Sequence, residues 1–273
     1  MSYNTPAETA AIAVESGVAK AGMSVGPVLV GSFLAGAYIA FASLLAIVAS
    51  AGMPSPTQDW AGVTTIVTGV VFSVGLVLVV VGGSELLTGN MMYLPIALLA
   101  RRIGAARLVK NWVLVTIGNL IGSLFVAYVL AYATGVIGGA DTKAHIRLVG
   151  IVTGKAITET HLEVFLRGLG CNWLVCMGVW LALAATSVSG KILGILGPIS
   201  AFVALGFDHV VANMFFLPLG LMEHVPHLTL GDVVWNLVMA FCGNLIGAGV
   251  FVAGAYWYIY LRPRTEREAV RRA

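Results

Sequence analysis

The residues best placed to do chemistry are one histidine and two carboxylates embedded in apolar sequence. Gly83–Pro95 and Gly206–Pro218 align without gaps, 123 residues apart. Each stretch opens on glycine, puts a carboxylate (Glu85 or Asp208) two positions later, and closes on Asn-Met-x-x-Leu-Pro beginning at Asn90 or Asn213. His209 directly follows Asp208 and is the histidine that falls inside a hydrophobic run, whereas His145, His161, His224 and His227 fall in loops or at helix ends. An imidazole, with an ordinary pKa of about 6.5, can exchange a proton near neutrality or donate a hydrogen bond while uncharged. An ionisable group at membrane depth is costly, and such groups mark substrate, ion or proton pathways.

The elements that carry these residues are membrane helices. Hydrophobic residues make up 59% of the 273-residue chain and charged residues 10%, against about 25% charge in a soluble domain. A bilayer core needs about 20 apolar residues per helix, and six runs meet that length: 26–53, 62–100, 108–136, 162–186, 191–222 and 232–261. The second and fifth are too long for one straight helix and hold the glycine-and-acid motifs, so each is expected as half-helix, loop, half-helix. Paired interruptions of this kind point to a transporter or channel.

The duplication goes further. Asn111 followed by Gly118-Asn119-Leu120-Ile121-Gly122 in the third run is matched by Asn236 followed by Gly243-Asn244-Leu245-Ile246-Gly247 in the sixth. Phe33-Leu34-Ala35-Gly36 in the first run parallels Phe165-Leu166-Arg167-Gly168 in the fourth. The expected fold class is therefore an all-α membrane protein of six transmembrane helices, arranged as an inverted 3+3 repeat with helices 2 and 5 broken. The inversion follows because three crossings per half force opposite orientations. Gly118/Gly122 and Gly243/Gly247 have the spacing that lets helices pack closely. Asn119 and Asn244 must find partners, either at a broken loop or in a lumen.

Residues 1–25 are expected to form a cytoplasmic surface helix along the membrane, without the apolar core of a cleavable signal peptide. Residues 26–261 form a single pore domain, with halves at about 26–136 and 162–261, and 262–273 a basic cytoplasmic tail. Lys20, Arg101, Arg102, Arg107, Lys110, Lys191 and the arginines from Arg262 to Arg272 fall on one side, against Lys143, Arg147 and Lys155 on the other. Both ends are thus expected in the cytoplasm of a cell-membrane protein. The net charge of +3 reflects this topology and anionic lipid, not nucleic acid. Cys171, Cys176 and Cys242 lack the spacing of a redox or zinc pair.

At these motifs the chain resembles the formate/nitrite transporter family over nearly its whole length, most like its formate-channel branch. The resemblance rests on Gly83 to Asn90, Lys110-Asn111-Trp112, Gly118 to Gly122, Arg167-Gly168 with Cys171-Asn172, Phe207-Asp208-His209 with Ala212-Asn213-Met214, and Gly243-Asn244. It implies an aquaporin-like homopentamer in which each protomer has its own pore for formate, nitrite or hydrosulfide. By the same resemblance His209 is the pore histidine, Thr88 lies on the facing loop, Asn172 lies near the histidine and Lys155 stands on the outer side. Phe72, Leu76 and Phe202, with Leu86 and Val175, match apolar constrictions. Two positions depart from the family pattern: Asp208 stands where glutamate is common, and Leu87 where phenylalanine is common.

A bare anion drawn in by Lys155 would cross such a constriction poorly. Two readings follow for His209: the anion takes a proton near His209 and Thr88 and crosses as a neutral acid, or a neutral His209 only donates a hydrogen bond to it. Glu85 and Asp208 would repel an anion, so they are expected to turn away and cap exposed backbone N–H groups, with Asn90, Asn213, Asn119 and Asn244 supporting the loops. A water or glycerol channel would carry Asn-Pro-Ala at both breaks, where this chain has Asn-Met. An intramembrane hydrolase would need a Gly-x-Ser-Gly turn, which the sequence lacks, so no enzyme is expected. A non-transporting structural oligomer would leave the two polar breaks without a purpose. No metal or other cofactor is implied, since His209 has no second ligand at a suitable spacing.

Overall fold

Glycine and acid placed in apolar runs divide the chain into full-length and half-length helices. A computed structural model describes residues 3–54 and 57–263, so the basic tail expected at 262–273 lies outside the described residues from 264 onward. The described residues are mostly helical, with one antiparallel bridge between Tyr3 and Ala185 and no sheet. In chain order the helices are α1 (Pro6–Gly22), α2 (Val25–Ser50), α3 (Ala61–Gly82), α4 (Leu87–Leu99), α5 (Ala105–Phe125), α6 (Lys143–Thr153), α7 (His161–Ala184), α8 (Val188–Ala204), α9 (Val210–Met222), α10 (Leu230–Ala248) and α11 (Ala255–Tyr260). α5 runs on through a π-helical segment, Val126–Tyr132, α6 through Gly154–Thr158, and α10 through Gly249–Gly254 into α11.

Among the described residues, five helical stretches are long and apolar enough to cross a membrane: Val25–Ser50, Ala61–Gly82, Ala105–Tyr132, His161–Ala184 and Leu230–Tyr260. The shorter apolar helices are α4, α8 and α9. The run at 62–100 is divided into α3 and α4, and the run at 191–222 into α8 and α9. The glycines that open the two motifs are what turn the chain. Gly83 (φ 77°) and Gly206 (φ 71°) occupy the left-handed region just past α3 and α8, where a Cβ is unfavourable. Helix α6 was not expected from the sequence; Thr142 caps it by accepting from the His145 backbone N–H at 3.2 Å.

Small residues bring the helices close enough to fix the breaks. α2 lies along α5 and α7 along α10, while α3 packs on α8. A Cβ on Gly36 would collide with the backbone of Asn119, and one on Gly122 with the carbonyl of Phe33. In the other half a Cβ on Gly243 would collide with the carbonyl of Phe165, and one on Gly247 with that of Leu169. The paired glycines of α5 and α10 are thus packing positions in both halves.

α1 is closed by a capping box, in which Glu8 accepts from the backbone N–H (2.7 Å) and hydroxyl (2.8 Å) of Thr5. Its small buried face, including Ala10, Ala13 and Gly17, lies on α4. Upstream, Asn4 donates its backbone N–H to Ala184 O at 2.7 Å. The N-terminal helix is therefore seated on the bundle, which brings Lys20 to the first break.

These contacts set a packing test. Gly243→Leu is expected to cost at least about 1–3 kcal/mol through overpacking, seen as a lowered thermal midpoint in detergent. Gly26→Ala, where a Cβ meets open space, should leave that midpoint unchanged.

Candidate functional site

A helix interrupted away from water leaves backbone donors and acceptors that must be satisfied internally. Two asparagines supply most of those partners. Asn119 accepts the Leu87 N–H at 2.9 Å and donates to Ser32 O (2.8 Å) and Glu85 O (2.9 Å). Asn244 accepts the Val210 N–H at 2.9 Å and donates to Gly168 O and Asp208 O, both at 2.8 Å. Both side chains are fully buried. Of the two destinations open to them in the sequence, they go to the broken loops.

A second layer repeats just as closely. Glu85 accepts from Lys20 Nζ at 2.5 Å and from Asn90 Nδ2 at 2.9 Å; Asn90 also donates to Asn111 Oδ1 at 2.9 Å, and Asn111 donates to Lys20 O at 3.3 Å. Asp208 accepts from Lys155 Nζ at 2.8 Å and from Asn213 Nδ2 at 2.8 Å; Asn213 donates to Asn236 Oδ1 at 2.7 Å, and Asn236 to Lys155 O at 2.9 Å. Each break thus holds a buried carboxylate against a lysine and an asparagine.

One expectation is corrected by this geometry, and two further site residues are found with partners that the sequence did not give. Among the described contacts, Glu85 and Asp208 accept from side chains and not from backbone N–H groups; the N–H groups of Leu87, Val210 and Ala212 go to Asn119, Asn244 and His209 instead. Lys155 is not a free charge, because Asp208 and the Phe207 carbonyl (3.3 Å) hold its ammonium. Asn172 turns its amide to backbone, donating to Thr88 O at 3.1 Å and Asn244 O at 2.9 Å, and so ties the first break to α10.

Between the networks lies the Thr88–His209 contact. His209 is the N-cap of α9, where its Nδ1 accepts the Ala212 N–H at 3.1 Å. Its Nε2 is 2.9 Å from Thr88 Oγ1. An imidazole nitrogen that accepts a hydrogen bond carries no proton, so the neutral ring has its proton on Nε2 and donates to the threonine. The repeat is asymmetric here: Leu86 occupies the position equivalent to His209, and Val211 the position equivalent to Thr88.

Two cavities approach this contact. One of about 340 Å³ is lined by Lys155, Phe72, Phe202 and His209. The other, about 170 Å³, is lined by Lys20, Leu76, Leu86 and Val179. The Phe72 and Phe202 rings meet edge-on with centroids 5.6 Å apart, and Phe202 stacks on the His209 ring at 5.9 Å. Val175 is buried on α7 and lines neither cavity. Sequence reasoning did not place Lys20, Val179, Asn111 or Asn236 in the site; for the two asparagines, the repeated spacing was the available signal.

The charge pairing makes a stability prediction. Lys20→Met leaves Glu85 buried without its counter-charge and is expected to destabilise by about 3 kcal/mol. Adding Glu85→Gln should recover most of that loss in thermal unfolding.

Comparison with known proteins gives a consistent assignment. The family model described as Formate/nitrite transporter matches residues 7–258. A probable formate transporter of Methanothermobacter thermautotrophicus is 45% identical, the match covering 96% of this chain and 98% of that protein. Among solved structures, an FNT family ion channel superposes with a TM-score of 0.84 at 30% identity, covering 93% of this chain and 99% of the other. A pentameric formate channel with formate bound gives a TM-score of 0.75 at 30% identity, covering 87% and 98%. The chain belongs to the formate/nitrite transporter family, a family of membrane channels and transporters.

Proposed function

We propose that the chain forms a pore for small monovalent anions, formate foremost, and that the passage joins the two cavities past Thr88 and His209. The observation that carries this reading is the Thr88–His209 hydrogen bond: His209 lines one cavity with Phe72 and Phe202, and Leu86 and Gly89, on either side of Thr88 in the chain, line the other with Leu76. Formate is favoured because the relatives bear that name and because a weak acid becomes neutral on gaining one proton. Nitrite and hydrosulfide are the competing anions.

In this reading α3 with α4, and α8 with α9, each count as one interrupted crossing. The chain then crosses six times as an inverted, aquaporin-like 3+3 repeat in the cell membrane. Both ends are cytoplasmic, so the Lys20 cavity opens inward and the Lys155 cavity outward. Five copies assemble, each with its own pore, as the pentameric structural relative suggests.

Of the two roles open to His209, the hydrogen bonds favour the neutral donor. A second proton on Nδ1 would expel the Ala212 N–H from its cap, and the partial positive charge at the α9 N-terminus opposes an imidazolium there. An anion reaching the ring can replace Thr88 Oγ1 as acceptor of the Nε2–H. The threonine hydroxyl is then free to donate in turn. The proton that neutralises formate for the apolar stretch comes from hydronium in the bulk solution at the mouth, which is left as water, because a neutral imidazole that gave up its Nε2–H would become an imidazolate. Lys155 contributes charge while it holds Asp208, and Asn172 keeps Thr88 in place.

The test is formate uptake into proteoliposomes between about pH 5 and 8, with nitrite and hydrosulfide alongside. Uptake should rise with acidity and fall at least about tenfold in His209→Ala, a loss of roughly 1.4 kcal/mol. His209→Asn, which keeps a capping oxygen and an amide donor, should retain more flux than alanine. Uptake indifferent to both pH and His209 would contradict the reading.

A further inference from the structure

Among the described residues, five buried side-chain atoms have no hydrogen-bond partner, and two of them belong to neighbouring carboxyl groups: Glu159 Oε2 and Asp208 Oδ2. The Glu159 side chain is 9% exposed and that of Asp208 0%. Lys155, which holds Asp208 at 2.8 Å, shares a cavity wall with Glu159, and the two carboxyl groups act on each other's protonation by charge and side-chain hydrogen bonding. Their other oxygens are occupied: Glu159 Oε1 accepts from Arg167 Nη1 at 2.5 Å, and Asp208 Oδ1 from Lys155 and Asn213. Two ionised carboxylates so placed repel each other and leave both orphan oxygens unsatisfied. One proton held between them removes the repulsion and gives each a partner.

We propose that Glu159 and Asp208 form a proton-binding carboxyl–carboxylate pair in the wall of the Lys155-side cavity, and that its proton tunes how strongly this mouth attracts anions. The second half of this statement rests on the anion-pore reading above; the first half does not. The charges in this wall come from four elements. Arg147 on α6, whose Nε donates to Ser50 Oγ at 2.9 Å, faces the cavity with Lys155, Glu159 and Arg167, and Asp208 and His209 approach from the second break. On the other side of Glu159, α10 presents Asp232, held by Thr229, and Trp235, stacked on His161. Around the cavity, Arg147, Lys155 and Arg167 outnumber Glu159 and Asp208 by one positive charge when both carboxyls are ionised, and by two when the pair holds a proton.

Burial, and then the charge of Asp208, push the Glu159 carboxyl up to about 7 against the pull of Lys155 and Arg167. The proton is therefore bound below about pH 7 and lost above it, so acidification makes the mouth more positive. It releases Arg167 from a full counter-charge at the same time.

Two measurements test the two halves. Infrared difference spectra of the protein in lipid, taken between about pH 8 and 5.5, should show a protonated-carboxyl band that is absent in Glu159→Gln. In wild type, the same band should shift when the protein carries 13C-glutamate, an arm that needs no variant to fold. No such band, or a band that glutamate labelling leaves unmoved and Glu159→Gln retains, overturns the proton site. For the consequence, Glu159→Gln should raise formate uptake roughly threefold or more at pH 8 and leave it near wild type at pH 5.5. An equal ratio of variant to wild type at both pH values overturns the tuning of the mouth. A wild type that carries no formate overturns the anion-pore reading and the tuning with it, while the carboxyl band still decides the proton site.

Discussion

Everything in this structure depends on satisfying two interrupted backbones where no bulk water is at hand. The breaks after α3 and α8 expose N–H groups at Leu87 and Val210 and carbonyls at Glu85 and Asp208. One asparagine per half, Asn119 or Asn244, meets a donor and an acceptor of its break and a carbonyl of the neighbouring helix. An unsatisfied polar group in such surroundings costs several kcal/mol. The breaks, the glycine contacts that bring α5 against α2 and α10 against α7, and the buried asparagines therefore form one arrangement.

The charges serve the same end before they serve an anion. A buried carboxylate at each break would be prohibitive alone, and each is held by a lysine and an asparagine. These pairs put a lysine beside each cavity without leaving a bare cation inside the bundle. The departures from symmetry then fall at the point of contact between the halves. Where one half has Leu86, the other has His209, and where one has Thr88, the other has Val211. The scaffold is what the halves share, and the hydrogen bond across the middle is what they do not.

Much of this was legible in the sequence because identical physical problems had been given identical residues. The gap-free alignment of Gly83–Pro95 on Gly206–Pro218 located both breaks, and the left-handed φ of Gly83 and Gly206 explains why each motif opens on glycine. The destinations of Asn119 and Asn244 were not legible, because spacing alone does not say which way a helix face turns. The roles of Lys20 and Glu159 were equally hidden. Lys20 reaches Glu85 across 65 residues, whereas Lys155 reaches Asp208 across 53, so the two pairs share no register. Glu85 and Asp208 were expected to cap backbone, but His209 and the asparagines do that work and leave the carboxylates to the lysines. Helix α6 was missed because its eleven residues lie in the more polar stretch between apolar runs.

The central claim is that His209 is held neutral by its cap on α9 and presents the Nε2–H to the passage. Nitrogen-15 solid-state NMR of the protein in lipid, with labelled histidine assigned through His209→Asn, reads that state directly. The account predicts a protonated Nε2 and an unprotonated Nδ1 for His209 from about pH 8 to 5, with the Nε2 signal moving when formate is added. An imidazolium signal at His209 within that range, or the opposite tautomer, would contradict it.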